Sequence, residues 1–143
     1  MDVQEAIVTR RSVRVFLEQP VEKVKIEQLM AAAVQAPSAM NAQPWAFAVI
    51  SDKELLATYS TKAKAFLLGY LDKFPVLKRY EKVLSNPSFN IFHTAGTLLI
   101  IYSKPLNAAP NEDCSIAAQN VMLTAHELGL GSCWIGFARD FLN

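Results

Sequence analysis

An excess of charge of either sign is what this 143-residue sequence most lacks: 14 Lys and Arg stand against 13 Asp and Glu, a formal charge of +1. Such a balance offers no general attraction to nucleic acid or an anionic membrane, so any anion site has to be local. Cysteine is scarce as well. Cys114 and Cys133 are the only two, too few and too far apart for a disulfide framework, and they read as free thiols of a reducing compartment. The N-terminus carries Asp2, Gln4 and Glu5 rather than a basic and then apolar stretch, so no secretory signal is expected. The longest strongly apolar run, Thr97 to Tyr102, is too short to cross a bilayer as a helix. The expectation is a cytoplasmic protein with no nucleic-acid or membrane partner. Repeats, low-complexity tracts and interdomain linkers are missing too, so residues 1–143 read as a single domain of the α+β class.

What is present is a globular composition, 52% hydrophobic and 19% charged, well outside the range of disordered chains. Asp2 followed by Glu5 suggests a capped helix reaching about Arg10. Val24, Ile26, Leu29, Met30, Ala33 and Val34 predict a second helix between Pro20 and Pro37. Trp45 to Ile50 reads as a strand, and Lys53 to about Leu84 as mainly helical with breaks near Gly69 and Pro75. Thr97 to Tyr102 predicts a central strand covered on both faces, followed by a loop from Pro105 to Pro110. A long helix is expected from Asp113, its cap, to Gly129, with Ile116, Asn120, Leu123 and Glu127 on one face. Ser132 to Phe137 reads as a last strand.

Three segments carry chemistry. Arg10, Arg11, Ser12 and Arg14 put three guanidinium groups and a hydroxyl within five residues at a helix exit, a set able to grip an anion at several points. In isolation the same cluster also fits a solvated basic turn. Pro37-Ser38-Ala39-Met40-Asn41-Ala42-Gln43-Pro44-Trp45 is a polar loop fixed by two prolines just before a strand, and Ser38 and Asn41 could face a polar ligand. Gly129-Leu130-Gly131-Ser132-Cys133-Trp134-Ile135-Gly136 lets the backbone approach a flat ligand. The last segment is no dinucleotide fingerprint, because it follows a helix and has Trp134 where glycine is needed. His93, Cys114, His126 and Cys133 have no close metal-ligand spacing, so no metal is assigned.

Taken together and in this order, the three segments resemble the nitroreductase family, with its Arg-Arg-Ser-x-Arg, Pro-Ser-x-x-Asn-x-Gln-Pro-Trp and Gly-Leu-Gly-x-Cys-Trp-Ile-Gly patterns. The resemblance implies a nitroreductase-like α+β fold, a mixed central β-sheet flanked by helices, in a homodimer with FMN at the interface. It implies that Arg10, Arg11 and Ser12 hold the phosphate and ribityl end, and that Arg14 lies near the pyrimidine edge of the flavin. Positive charge there raises the reduction potential of a cofactor that becomes anionic when reduced. Pro37, Ser38, Ala39 and Asn41 would serve the flavin of the partner subunit, and the backbone of Trp134, Ile135 and Gly136 would line the isoalloxazine ring. Phe66, Tyr70 and Phe74, at helical spacing, could wall the flavin or simply pack.

The activity so implied is ping-pong transfer from NAD(P)H through FMN N5 to a nitroaromatic, quinone or flavin-type acceptor. Such a mechanism requires no side-chain nucleophile or general acid. Ala39 stands where many relatives have a second serine, which leaves a backbone contact there. Relatives continue past Asn143 with basic residues for the phosphate and an arm packed on the partner, so the resemblance makes this a chain without that segment. A flavin carrier without turnover and an inactive dimeric scaffold stay open as alternatives.

Overall fold

The computed structural model describes residues 1–105 and 108–142. Its elements are α1 (Val3–Thr9), α2 (Lys23–Ala33), β1 (Trp45–Ile50), α3 (Lys53–Leu68), α4 (Glu81–Leu84), β2 (Leu98–Ser103), α5 (Pro110–Glu127) and α6 (Arg139–Leu142). Two compact units result, one of Met1–Arg14, Pro20–Val49 and Leu99–Cys133, the other of Val15–Gln19, Ile50–Leu98 and Trp134–Asn143.

The first unit is built on α2 packed along α5. The buried stripe of α5 is Asp113, Ala117, Val121 and Ala125, beside the face that Ile116, Asn120, Leu123 and Glu127 share. The reason is steric: Ala33 and Ala117 are fully buried where the two helices pack, and small side chains allow the closest helix approach. Trp45 completes this core and its Nε1 donates to Ala33 O at 3.2 Å, while Asn120 Nδ2 donates to Ala32 O at 3.1 Å. Both bonds add a side-chain donor to carbonyls at the end of α2 that also accept from Gln35 N and Ala36 N, each at 3.2 Å.

Helix α5 begins three residues earlier than the sequence suggests. Pro110 occupies its first position, where the missing N–H costs nothing, and Asp113 is therefore inside the helix rather than its cap. The C-terminal end matches expectation. Gly129 has φ +71°, its N–H donates to His126 O at 3.1 Å, and Leu130 N donates to Ala125 O at 2.8 Å, a Schellman closure that needs glycine at the left-handed position. The predicted loop from Pro105 to Pro110 includes Leu106 and Asn107, which lie outside the described residues.

Strands β1 and β2 form a sheet that has two strands among the described residues. Lys104 N donates to Pro44 O at one end and the Ser51 and Thr97 hydroxyls meet at 3.1 Å at the other, which fixes an antiparallel register. β2 is half-buried with Tyr102 exposed, instead of covered on both faces. The predicted strand over 132–137 does not form. Ser132 makes one isolated parallel bridge to Ser12, and the following residues find no ladder partner, so their β-rich composition is left without the pairing that makes a strand.

In the second unit α3 starts at Asp52, whose carboxylate accepts from Leu55 N at 2.9 Å. Leu56, Ala63 and Leu67 pack with Leu84, Ile91, Phe92 and Ala138. Two polar side chains share that inner face. Ser60 Oγ accepts from Ile91 N at 3.0 Å, and the buried Lys64 ammonium donates to Asn86 O at 2.9 Å and Phe89 O at 2.7 Å. Phe66 and Tyr70 stack at 4.6 Å between ring centroids and Tyr70 meets Phe74 at 6.3 Å, so the three aromatic residues do form a continuous row. Lys53 pairs with Glu18 at 2.6 Å, and that hydrogen bond, followed by the lysine's charge, holds the Glu18 carboxyl below its usual range. No helix among the described residues is long and apolar enough to cross a membrane.

Candidate functional site

Helix α1 delivers the basic segment. Asp2 caps it by accepting from Glu5 N at 2.8 Å, and the chain leaves the helix at Arg10 in an extended conformation (φ −56°, ψ 137°). From there it runs beside the exit of α5. Ser12 bridges Ser132 in parallel fashion, with Val13 N donating to Ser132 O at 3.0 Å. The basic segment and the start of the glycine-rich segment, 120 residues apart in the numbering, are thus one piece of structure within the first unit.

Gly131 is what permits this approach. A Cβ placed there would sit 2.9 Å from Val13 Cγ1 and 3.0 Å from Val13 Cβ. A Gly131→Ala chain must therefore push the Val13 segment away, at a cost of about 1–3 kcal/mol. The expected result is a lower denaturation midpoint together with weaker anion binding by the basic segment. An unchanged midpoint would contradict the close packing.

The four polar side chains of the segment are not equivalent. Arg11 Nη1 donates to Val8 O and to Arg10 O, both at 2.8 Å, so it folds back on the carbonyl end of α1, where positive charge meets the negative pole of the helix. Among the described residues, Arg10, Ser12 and Arg14 have no side-chain hydrogen bond or ion pair. Arg10 is half-buried, while Ser12 and Arg14 are exposed. Two guanidinium groups and a hydroxyl are thereby available to an anion, and Arg11 keeps its Nη2 and Nε.

The proline-flanked loop is held more firmly than its prolines alone require. Met40, Asn41 and Gln43 have φ of 55°, 52° and 47°, a left-handed backbone that costs about 1–2 kcal/mol at residues other than glycine. The restraints are two hydrogen bonds within the loop and one to α5. Gln43 N donates to Ser38 Oγ at 2.9 Å, Asn41 N to Ser38 O at 3.0 Å, and Ala39 N to the buried Asp113 carboxylate at 3.0 Å. The Ser38 hydroxyl oxygen therefore already accepts within the loop and the Ala39 N–H is engaged by Asp113 of α5, whereas Asn41 and Met40 point a strained, exposed turn outward, Met40 being 95% exposed. Pro37 is exposed beside them. A cleft of about 370 Å³ is lined by Val34, Gln35, Gln43 and Trp45.

Asp113 was not visible as a loop-holding group in the sequence, because its acidic side chain just after Pro110 reads equally well as a helix cap. Its neighbour Cys114 is half-buried, and burial, reinforced by the Asp113 charge, pushes its thiol pKa up. Trp134, Ile135 and Gly136 lie in the second unit, where Ile135 packs on the core, Trp134 is 53% exposed, and a Cβ at Gly136 would meet nothing within 4 Å.

The sequence profile of the nitroreductase family matches residues 7–141. A Methanothermobacter thermautotrophicus protein named "Putative NADH dehydrogenase/NAD(P)H nitroreductase" is 33% identical over 139 residues, covering 95% of this chain and 61% of its own. One of the same name from Archaeoglobus fulgidus is 37% identical over 130 residues, covering 91% of this chain and 64% of its own. The chain thus spans a little over three fifths of the length of these relatives. Among solved structures, a nitroreductase with bound FMN from Bacteroides fragilis superposes with a TM-score of 0.85 at 26% identity, over 96% of this chain and 71% of that one. The family match starts within α1, ends within α6 and takes in the basic exit, the strained loop and the glycine-rich segment alike: the chain belongs to the nitroreductase family.

Proposed function

We propose that the chain is an FMN-dependent NAD(P)H oxidoreductase acting on nitroaromatic, quinone or flavin-type acceptors in two alternating half-reactions. The observation that carries this reading is the junction of Ser12 with Ser132, which sets Arg10, Ser12 and Arg14 with uncommitted donors at the exit of α5. A phosphate monoester is the anion such a set fits, since guanidinium forks and a hydroxyl match its oxygens. Arg10 and Ser12 hold the phosphate and ribityl end, with Arg11 contributing through its remaining donors. Arg14 places a cation toward the pyrimidine edge. The backbone of Trp134, Ile135 and Gly136 is assigned to the ring, and Pro37, Ser38, Ala39 and Asn41 to the flavin of the partner subunit in a homodimer.

Bound FMN supplies a hydride acceptor for reduced nicotinamide and an electron donor for the second substrate. The side chains bind, orient and set charge. Arg14 favours the form carrying extra negative charge beside it, and the strained Met40–Gln43 turn presents its contact without ordering a flexible loop on binding.

Titrating the full chain with FMN tests this directly. The expected outcome is a bound, yellow complex that NADH or NADPH bleaches anaerobically and a quinone restores; a chain that ignores added FMN overturns the proposal. Mixing Arg14→Ala and Asn41→Ala chains, each impaired alone, should restore one intact site per heterodimer. Absence of any recovery would reject the cross-subunit role of the loop.

A further inference from the structure

We infer that His126 is a positioning residue for the phosphate-holding segment, acting through Thr9. The inference rests on the reading of Arg10 to Ser12 as that segment. Thr9 Oγ1 lies 2.5 Å from Glu5 O and 2.8 Å from His126 Nε2. A threonine hydroxyl has one hydrogen, and the Glu5 carbonyl can only accept it. His126 Nε2 is therefore the donor in the second bond, and both the neutral Nε2–H tautomer and the charged imidazolium satisfy it.

The consequence lies in what the bond spans. His126 is in the last turn of α5, and Thr9 is the last residue of α1. Four residues further along the first chain segment, Val13 N is anchored to Ser132 O, just past the exit of α5. Arg10, Arg11 and Ser12 are strung between these two anchors, both provided by α5 and its exit. The Gly131 approach fixes one end and the histidine fixes the other. A helix C-terminus frays unless its last turn is tied down, and fraying of Thr9 would release the entry to the anion-gripping residues. Ordering them would then be charged to ligand binding.

The test compares two probes differing only in the phosphate, FMN and riboflavin, binding to the full chain. The unmodified chain should prefer FMN. Thr9→Val and His126→Phe should each weaken FMN about 3- to 10-fold, the worth of one hydrogen bond, and leave riboflavin unchanged. The double variant should be no worse than either single. Thr9→Ser and His126→Gln, which keep an acceptor and a donor, should recover the preference. Thr9 is exposed and His126 half-buried, and Thr9→Ala provides a second removal should Thr9→Val fold poorly. Equal weakening of both flavins, or an unchanged ratio, overturns the role of His126 while leaving the phosphate site standing. No preference for FMN in the unmodified chain strikes down the phosphate reading itself.

Discussion

Asp113→Ala is expected to lower the stability of the chain by about 2–4 kcal/mol and to loosen the loop from Pro37 to Trp45. The carboxylate is 3% exposed and accepts the Ala39 N–H at 3.0 Å. A hydrogen bond to a charged group contributes about 1.5–3 kcal/mol. Asp113 also sits in the first turn of α5, where negative charge gains about 0.3–1 kcal/mol from the helix. Alanine removes both and leaves the Ala39 N–H without its acceptor, beside three residues in left-handed conformations that then lose a restraint. Urea unfolding should show a lower midpoint with unchanged slope, and hydrogen exchange should accelerate at Ala39, Asn41 and Ala42. Asp113→Asn keeps an acceptor oxygen and should fall between the two. An Asp113→Ala chain with the original midpoint would show that the carboxylate does not hold the loop.

Where a single stretch of sequence holds the physical cause, the structure mostly agrees with it. Asp2 caps α1 and Gly129 closes α5, because a cap depends on the residues within a few positions of it; Asp113, read as a cap in the same way, lies inside α5 because Pro110 takes the first helical position. The other readings that fail depend on partners elsewhere. Residues 132–137 are rich in strand-forming side chains yet gain one bridge, since a strand exists only where another chain segment offers its backbone. Ile116, Asn120, Leu123 and Glu127 do share a face of α5, but which face is buried, that of Ala117, Val121 and Ala125, is selected by α2, which approaches the small residues most closely. Periodicity alone cannot choose between two faces about 100° apart.

The candidate site divides the same way. Arg10, Ser12 and Arg14 stand out as a cluster in the sequence, and the structure leaves their donors uncommitted. Nothing in the sequence separates Arg11 from them; its use on Val8 O and Arg10 O depends on the path of the chain as α1 ends. The prolines of the loop announce stiffness but not its cause, which is Ser38 Oγ and Asp113. Gly131 was legible as a residue allowing close approach, though the sequence pointed to a flat ligand, and what fills the space is Val13.

Lys64 is the polar residue whose loss should unsettle the second unit most. Its side chain runs through the core face of α3, and its ammonium ends on Asn86 O at 2.9 Å and Phe89 O at 2.7 Å. At 8% exposure such a charge is tolerated only because these bonds replace water. Lys64→Met keeps most of the aliphatic stem and deletes both donors. Asn86 is exposed, so water can reach its carbonyl, whereas Phe89 is half-buried and its carbonyl loses more. The expected cost is about 2–4 kcal/mol, with Lys64→Ala costing more because a cavity is added. Ser60 holds the same segment one turn away through Ile91 N, so Ser60→Ala and Lys64→Met should combine non-additively. Hydrogen exchange should rise over residues 86–92 and stay unchanged in α2 and α5, which share no core residue with that segment. A Lys64→Met chain as stable as the original would mean that the two carbonyls are satisfied without the ammonium, and the clamp would be no part of what holds this unit together.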